Sequence, residues 1–446
     1  GPIAAIVCMA ALMGAGLSMA ASVTAAVTLW CAVWWISEPI SMAFTSLLPL
    51  ALFPLLGILS PQQVAHAYGS PLILLLLGGF MISKAMEASG AHRRIALFMV
   101  NLFGGHDARR LVLGFMTAAA VLSMWISNTA TTLMLLPVAL AVIERTERIL
   151  AVPLLLGIAY AASIGGIGTP IGTPPNLIFM QIHSDLFGSS PTFPEWMVWG
   201  LPVVVLMVPA VGLWLTRGIS LREPVALPKV GRWRVAEKRV AILFTLTALA
   251  WVTREAPFGG WSGVLNLPHA NDASVALLAV IAMAVTSNGE GERLLTWKSA
   301  AKIPWGVLIL FGGGIAIANA FMESGLADLL ANQFHLLSVV PAWLLILLIC
   351  LSVTFLTEVT SNTATASLLM PLLGTAALVL DVPPMLLMVP AVMSASCAFM
   401  LPVATAPNAV VYGSGRVSIR EMARAGWVVN LFGAVVISTV CAFLLG

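Results

Sequence analysis

Charge is what this sequence has least of. Only 9% of its 446 residues are Asp, Glu, Lys or Arg, against about a quarter in a soluble globular chain, so water is not its main solvent. The formal net charge of +3 reflects loops and is no nucleic-acid surface. Cysteine is scarce as well. Cys8, Cys31, Cys350, Cys397 and Cys441 all lie in apolar runs without a CxxC pair, and they read as free packing thiols. The six histidines, His66, His92, His106, His183, His269 and His335, fall in or beside expected loops. No HxxxH pair occupies an apolar run, which argues against an intramembrane zinc or haem site. The apolar runs offer hydroxyls but no His or Lys to act as a base, so an enzyme is not expected.

What is present is apolar length. Sixty per cent of the chain is hydrophobic and its mean hydropathy is +1.01. Between clusters of charge lie stretches of roughly 17–25 residues, the length that crosses a bilayer as a helix. About eleven spanning helices are expected, near 2–18, 22–37, 42–58, 70–88, 150–182, 194–217, 237–253, 273–288, 303–322, 383–413 and 424–445. The first of these lacks a basic start and reads as a membrane helix, not a signal peptide. Regions 109–143 and 340–379 are too long for one span and are broken midway by polar residues. Each reads as a re-entrant helical hairpin, a form tolerated only where broken backbone is buried or lines a wet cavity. The basic residues support this count. With the 217–239 loop placed in the cytoplasm, every Lys and Arg but Arg254 falls inside, as the positive-inside rule asks. That places the N-terminus in the cytoplasm and the C-terminus outside. Trp30, Trp34, Trp196, Trp199 and Trp297 lie near the expected boundaries and read as interfacial anchors.

The chain also repeats itself. Ser127-Asn128-Thr129-Ala130-Thr131 recurs as Ser361-Asn362-Thr363-Ala364-Thr365, and both copies run on to a proline, Pro137 and Pro371. Upstream, Gly78-Gly79 before Ala88-Ser89-Gly90 parallels Gly313-Gly314 before Glu323-Ser324-Gly325. Downstream, Thr173-Pro174-Pro175-Asn176 parallels Thr405-Ala406-Pro407-Asn408. Three motifs in register make chance recurrence a poor explanation. The expected organisation is an N-terminal transmembrane helix (1–21), a first repeat (22–218), a cytoplasmic linker (219–236) and a second repeat (237–446). Each repeat holds an odd number of spans, so the copies are inverted, as in many secondary transporters.

The motifs carry a coherent chemistry. At a hairpin tip, the incoming half-helix ends in free carbonyls and the outgoing one begins with free N–H groups. Carbonyl, Ser and Asn oxygens suit a small hard cation, and N–H groups at a positive dipole end suit a carboxylate. Ser123 lies one turn before Ser127 and adds a hydroxyl; Thr357 has the same place before Ser361. The Gly/Pro-rich segments 165–176 and 404–408 cannot remain continuous helix. Each is expected to unwind against the tip of its own repeat, although Gly and Pro also kink helices simply for packing. Glu358 is the single acidic residue deep in an apolar run. It either supports the second site or serves as a structural group bonded to tip backbone, and its counterpart is Met124. No Lys or Arg stands beside either tip, so an anion there needs dipoles, hydroxyls and co-bound cations, which favours cation-coupled symport.

On these residues, with Trp35–Pro49 (WISEPISMAFTSLLP), Gly172–Asn176 and Ala404–Asn408, nearly the whole chain resembles the divalent anion/sodium symporter family of the bacterial type. That resemblance implies an all-α homodimer in the plasma membrane, each protomer divided into a scaffold and a transport domain that moves as an elevator. It implies a first Na+ site at Ser123, Ser127, Asn128 and Gly172, and a second at Thr357, Thr360, Asn362 and Ala404. Substrate carboxylates are then expected at Asn128, Thr129, Asn362, Thr363, Thr173 and Thr405. Ala406 stands where members of the family often carry a second proline, which loosens the second unwound segment. The expected function is Na+-coupled uptake of C4-dicarboxylates such as succinate, malate or fumarate. Citrate or sulfate symport, dicarboxylate exchange and an anion channel are the alternatives.

Overall fold

The computed structural model describes the whole chain except residues 105–106, 145–147, 220–230, 256–258, 327–340, 381 and 446. His106, His335, Arg145, Arg222, Lys229 and most of the expected 219–236 linker lie outside the described residues. Regular structure among the described residues is helical, apart from an isolated bridge between Ser287 and Arg293. In chain order the first part contains α1 (Pro2–Gly14), α2 (Met19–Ser37), α3 (Met42–Thr45), α4 (Leu47–Leu55), α5 (Pro61–Tyr68), α6 (Pro71–Ser89), α7 (Ala91–Phe103), α8 (Ala108–Ser123), α9 (Asn128–Ile143), α10 (Ala151–Gly166), α11 (Pro174–Phe187) and α12 (Phe193–Leu215). The second part contains α13 (Val235–Val252), α14 (Gly260–Val264), α15 (Asp272–Val285), α16 (Trp297–Ala300), α17 (Trp305–Glu323), α18 (Ala342–Thr357), α19 (Asn362–Leu380), α20 (Pro384–Ala395), α21 (Ala406–Gly413) and α22 (Ile419–Leu445).

Local chemistry sets where these helices begin and end. Ser60 and Thr192 each form a capping box, with Gln63 and Glu195, and each is followed by a proline in the first turn, where its missing N–H costs nothing. Ser70 caps α6 by accepting from the Ile73 amide. Gly90 and Gly188 end α6 and α11 in the left-handed region, where glycine has no Cβ penalty. Among the described residues, five stretches are long and apolar enough to cross a membrane: Met19–Ser37, Pro61–Ser89, Phe193–Leu215, Trp305–Glu323 and Ile419–Leu445. Most of the other expected spans contain shorter apolar helices, several of them in broken pairs, and the 237–253 span holds the 18-residue α13.

Both interrupted regions are indeed broken. The first runs as α8, a gap at 124–127, then α9; the second as α18, a gap at 358–361, then α19. The Gly/Pro segments are broken too, between α10 and α11 and between α20 and α21. The stretch between the expected 70–88 span and the 109–143 hairpin, to which the sequence assigns no element, is helical over 91–103. Helix α7 buries a one-sided stripe of His92, Ala96 and Val100 against α8 while Phe98 and Leu102 stay exposed. Its charged start, His92-Arg93-Arg94, masked that pattern.

The helices pack in two groups. Helices α8–α12 and α18–α22 form one, in which α10 lies along α8, α12 against α22, and α18 against α20 and α22. Helices α2–α6 with α13, α15, α16 and α17 form the other, centred on the α6–α15 and α5–α17 contacts. The repeats interlock within the first group: α9 packs on α21 and α11 on α19. Glycine permits one of these close approaches. A Cβ on Gly165 of α10 would sit 2.3 Å from the Ala120 carbonyl oxygen of α8.

Candidate functional site

The two Ser-Asn-Thr motifs are helix starts. Ser127 and Ser361 each accept a hydrogen bond from the amide three residues on, Ala130 (3.2 Å) and Ala364 (3.3 Å). That cap fixes Asn128 and Asn362 in the first turn of α9 and α19, where the helix dipole is positive. In both copies the Asn carbonyl oxygen accepts from a hydroxyl five residues back. Ser123 Oγ donates to Asn128 Oδ1 at 2.6 Å, and Thr357 Oγ1 donates to Asn362 Oδ1 at 2.8 Å.

The two unwound segments share one device. Asn176 Nδ2 donates to the carbonyls of Gly166 (3.0 Å) and Thr169 (2.8 Å). Asn408 Nδ2 donates to those of Ala398 (3.1 Å) and Leu401 (3.0 Å). Each Asn is fully buried and pins the coil ten and seven residues before it. This turns the carbonyls of a broken helix into a fixed surface, because an unpaired buried carbonyl costs about 1–3 kcal/mol. The first coil lies against its own tip, as expected. A Cβ on Gly166 would meet Asn128 Oδ1 at 3.0 Å and Gly172 O at 3.2 Å, so the coil and the tip lie in tight contact there.

A cavity of about 1470 Å³ brings these parts together. Its walls include Ser127, Asn128, Thr129, Gly172 and Thr173 from the first repeat, and Thr360, Ser361, Asn362, Thr363, Ala404 and Thr405 from the second. Ser123 and Thr357 are buried behind it and reach it through the two Asn side chains. Every residue expected at the site is therefore on the wall or bonded to a residue that is. Oxygen donors dominate each tip, the ligand type that hard cations prefer. Among the described residues no cluster of His, Cys, Asp and Glu suits a metal ion. Thr360 Oγ1 is shared with Thr365 Oγ1 (2.6 Å) and donates to the Leu356 carbonyl (2.9 Å).

Several features were not legible beforehand. Lys84, Arg93 and Lys302 also line the cavity, and Lys84 is paired with Glu87 at 2.6 Å. The sequence marks them only as charges of the cytoplasmic side. Trp196 is no interfacial anchor: it is fully buried, and its indole N–H donates to the Ile167 carbonyl of the first coil at 2.8 Å. An aromatic residue near a helix end carries no local signal that separates the two roles. Glu358 is bonded not to tip backbone, as one reading expected, but to the second coil and to α22. It accepts from the amides of Phe399 (2.6 Å), Met400 (2.9 Å) and Leu401 (3.0 Å), and from Asn430 Nδ2 (2.7 Å).

Comparison with known proteins gives the family. Residues 32–382 match the family described as citrate transporter. A sodium-dependent dicarboxylate transporter, SdcS, of Staphylococcus saprophyticus is 40% identical over 443 residues, covering 94% of this chain and 85% of the relative. Its counterpart in Staphylococcus aureus is 39% identical over 444 residues with the same coverage. The crystal structure of the YdaH transporter from Alcanivorax borkumensis shares the fold, with a TM-score of 0.60 at 17% identity and 88% of each chain covered. The chain is an integral membrane transport protein; it belongs to the citrate transporter family and is related over most of its length to sodium-dependent dicarboxylate transporters.

Proposed function

We propose that the chain couples the inward Na+ gradient to uptake of C4-dicarboxylates such as succinate, malate and fumarate. The observation that carries this reading is the shared cavity, in which two Asn-Thr helix starts and two pinned coils from opposite repeats converge. The free N–H groups of α9 and α19 point the positive ends of two helices at one space. A dianion with a carboxylate at each end matches two such ends. Asn128, Thr129, Asn362 and Thr363 hold the carboxylates, and Thr173 and Thr405 border them. One Na+ binds among Ser123, Ser127, Asn128 and Gly172, the other among Thr357, Thr360, Asn362 and Ala404. Each cation offsets the charge of the dianion, a role no basic side chain plays at the tips. The names of the relatives, sodium-dependent dicarboxylate transporters, support both partners.

In this reading α8–α9 and α18–α19 are re-entrant hairpins entering from opposite faces of an inverted repeat. The cavity is also lined by Ile36, Glu38, Lys84, Arg93 and Lys302, which lie on segments that the positive-inside rule assigns to the cytoplasm. The chain is therefore inward-open, with its N-terminus inside and its C-terminus outside. The α8–α12 and α18–α22 group is the transport domain and moves as an elevator against the other group, which carries the contacts of a homodimer.

Purified protein in liposomes tests the coupling. Labelled succinate is expected to accumulate only under an inward Na+ gradient, with saturation. Uptake that ignores Na+ but requires internal dicarboxylate would establish an exchanger instead, and flux without saturation a channel.

A further inference from the structure

The two repeats match residue for residue at the tips and at the pinning asparagines, but not at position 358. In the first repeat the equivalent residue is Met124, whose side chain packs over Gly168. There the coil amides close on their own helix: Ile167 N–H donates to Ile164 O (3.1 Å) and Gly168 N–H to Gly165 O (2.9 Å). In the second repeat the corresponding amides, Phe399 and Met400, are turned away from helix α20 and donate to Glu358. Leu401 and the side chain of Asn430 complete a set of four N–H donors around one carboxylate that is 4% exposed. An acceptor-only group is the partner such a set requires.

This set is built to close tolerance. Helix α22 reaches the coil because Gly426 has no side chain; a Cβ there would lie 2.2 Å from the Phe399 carbonyl oxygen. Tyr160 covers Phe399 at a ring separation of 5.0 Å and donates to the Met422 carbonyl of α22 (3.2 Å). The held coil leads directly to the second cation site. Leu401 is fixed on both sides, its N–H by Glu358 and its carbonyl by Asn408. The Ala404 amide donates to that same Leu401 carbonyl at 3.2 Å. Glu358 also directly follows Thr357, whose hydroxyl donates to Asn362 Oδ1 and the Ala395 carbonyl (3.0 Å).

We infer that Glu358 is the positioning residue of the second cation site: by binding the 399–401 amides and Asn430 it sets where the Ala404 carbonyl and the Thr357–Asn362 pair meet the ion. The first site has no carboxylate at this place: its coil is held by the Trp196 indole on the Ile167 carbonyl and by the Thr169 hydroxyl on the Met124 carbonyl. The inference rests on the proposed cation sites, and its test separates the two. Chain purified in detergent is titrated with Na+ at constant ionic strength, without dicarboxylate, and thermal stabilisation is followed; uptake kinetics are measured in parallel. Glu358→Gln places an NH2 against amide donors and is expected to raise half-saturating Na+ by about tenfold or more. Asn430→Ala removes one donor of four and is expected to raise it about threefold. In both variants the succinate KM at saturating Na+ stays within about twofold of the parent, a split that general loosening of the fold does not produce. If Glu358→Gln does not fold, Asn430→Ala decides. An unchanged Na+ titration in the folded variants overturns the inference, provided that Asn362→Ala weakens Na+ binding. If Asn362→Ala also leaves it unchanged, the site assignment itself fails.

Discussion

The two Ser-Asn-Thr tips carry the same chemistry on unequal footings. Two residues before the first motif stands Trp125, stacked on Phe193 (6.0 Å, 14°) and Trp251 (6.5 Å, 4°) and met edge-on by Phe244 (5.4 Å, 88°). Phe244 and Trp251 lie on α13, in the other group of helices, and Trp251 is itself tied to the Asp272 carbonyl at 3.0 Å. The same place in the second copy is Val359, which is 63% exposed and lines the cavity. The first tip is therefore gripped from outside by aromatic side chains. The second is held from behind by Glu358. Sequence symmetry between the repeats extends to the Ser-Asn-Thr groups of the tips, whereas the supports of those groups differ.

The comparison can be broken in graded steps. The largest effect is expected at what the tips share. Asn128→Ala and Asn362→Ala should each lower succinate uptake by at least about a hundredfold, since each removes a partly buried amide that the proposed ion and substrate sites share. Protein that remains folded by size-exclusion chromatography yet transports normally would refute their roles. Next comes the unequal support. Trp125→Ala should cost about 3 kcal/mol of stability, in line with emptying an aromatic socket, whereas Val359→Ala should be close to neutral. Denaturant melts in detergent would show the difference, and equal losses would erase the asymmetry. Gly165→Ala should follow at about 1–3 kcal/mol, because its Cβ would enter the backbone of α8. The second repeat tolerates Cys397 at the equivalent place, fully buried. The smallest effect separates the two coil ends. Thr405 Oγ1 caps α21 by accepting from the Asn408 amide at 3.2 Å, and Thr173 makes no side-chain cap on α11. Thr405→Val should therefore cost about 1 kcal/mol and Thr173→Val less, by the same melts.

Much of the site was legible in the sequence because polar residues stand out in an apolar chain. Ser127–Thr129, Ser361–Thr363, Asn176 and Asn408 interrupt hydrophobic runs in register, and backbone that cannot be helical has to be used for something. The supports were illegible for the same reason. Asn430 is a lone amide in a long apolar helix, and it meets Glu358 across 72 residues of sequence. Trp125, Trp196 and Trp251 look alike in composition, although two clamp a tip by stacking and one braces a coil by a hydrogen bond. Helix α7 was hidden because its charged first turn resembles a loop, and its apolar stripe shows only once α8 lies beside it. Packing partners distant in sequence leave no local pattern to read.

The central claim is that both tips close on one bound dianion. Introducing Thr129→Cys and Thr363→Cys separately, in a chain whose half-exposed Cys8 is replaced and whose other thiols are buried, allows a direct test with a membrane-impermeant thiol reagent. Na+ together with succinate is predicted to protect both positions in parallel, at the same succinate concentration. Protection at one position alone, or at two clearly different concentrations, would contradict a site shared by the two repeats.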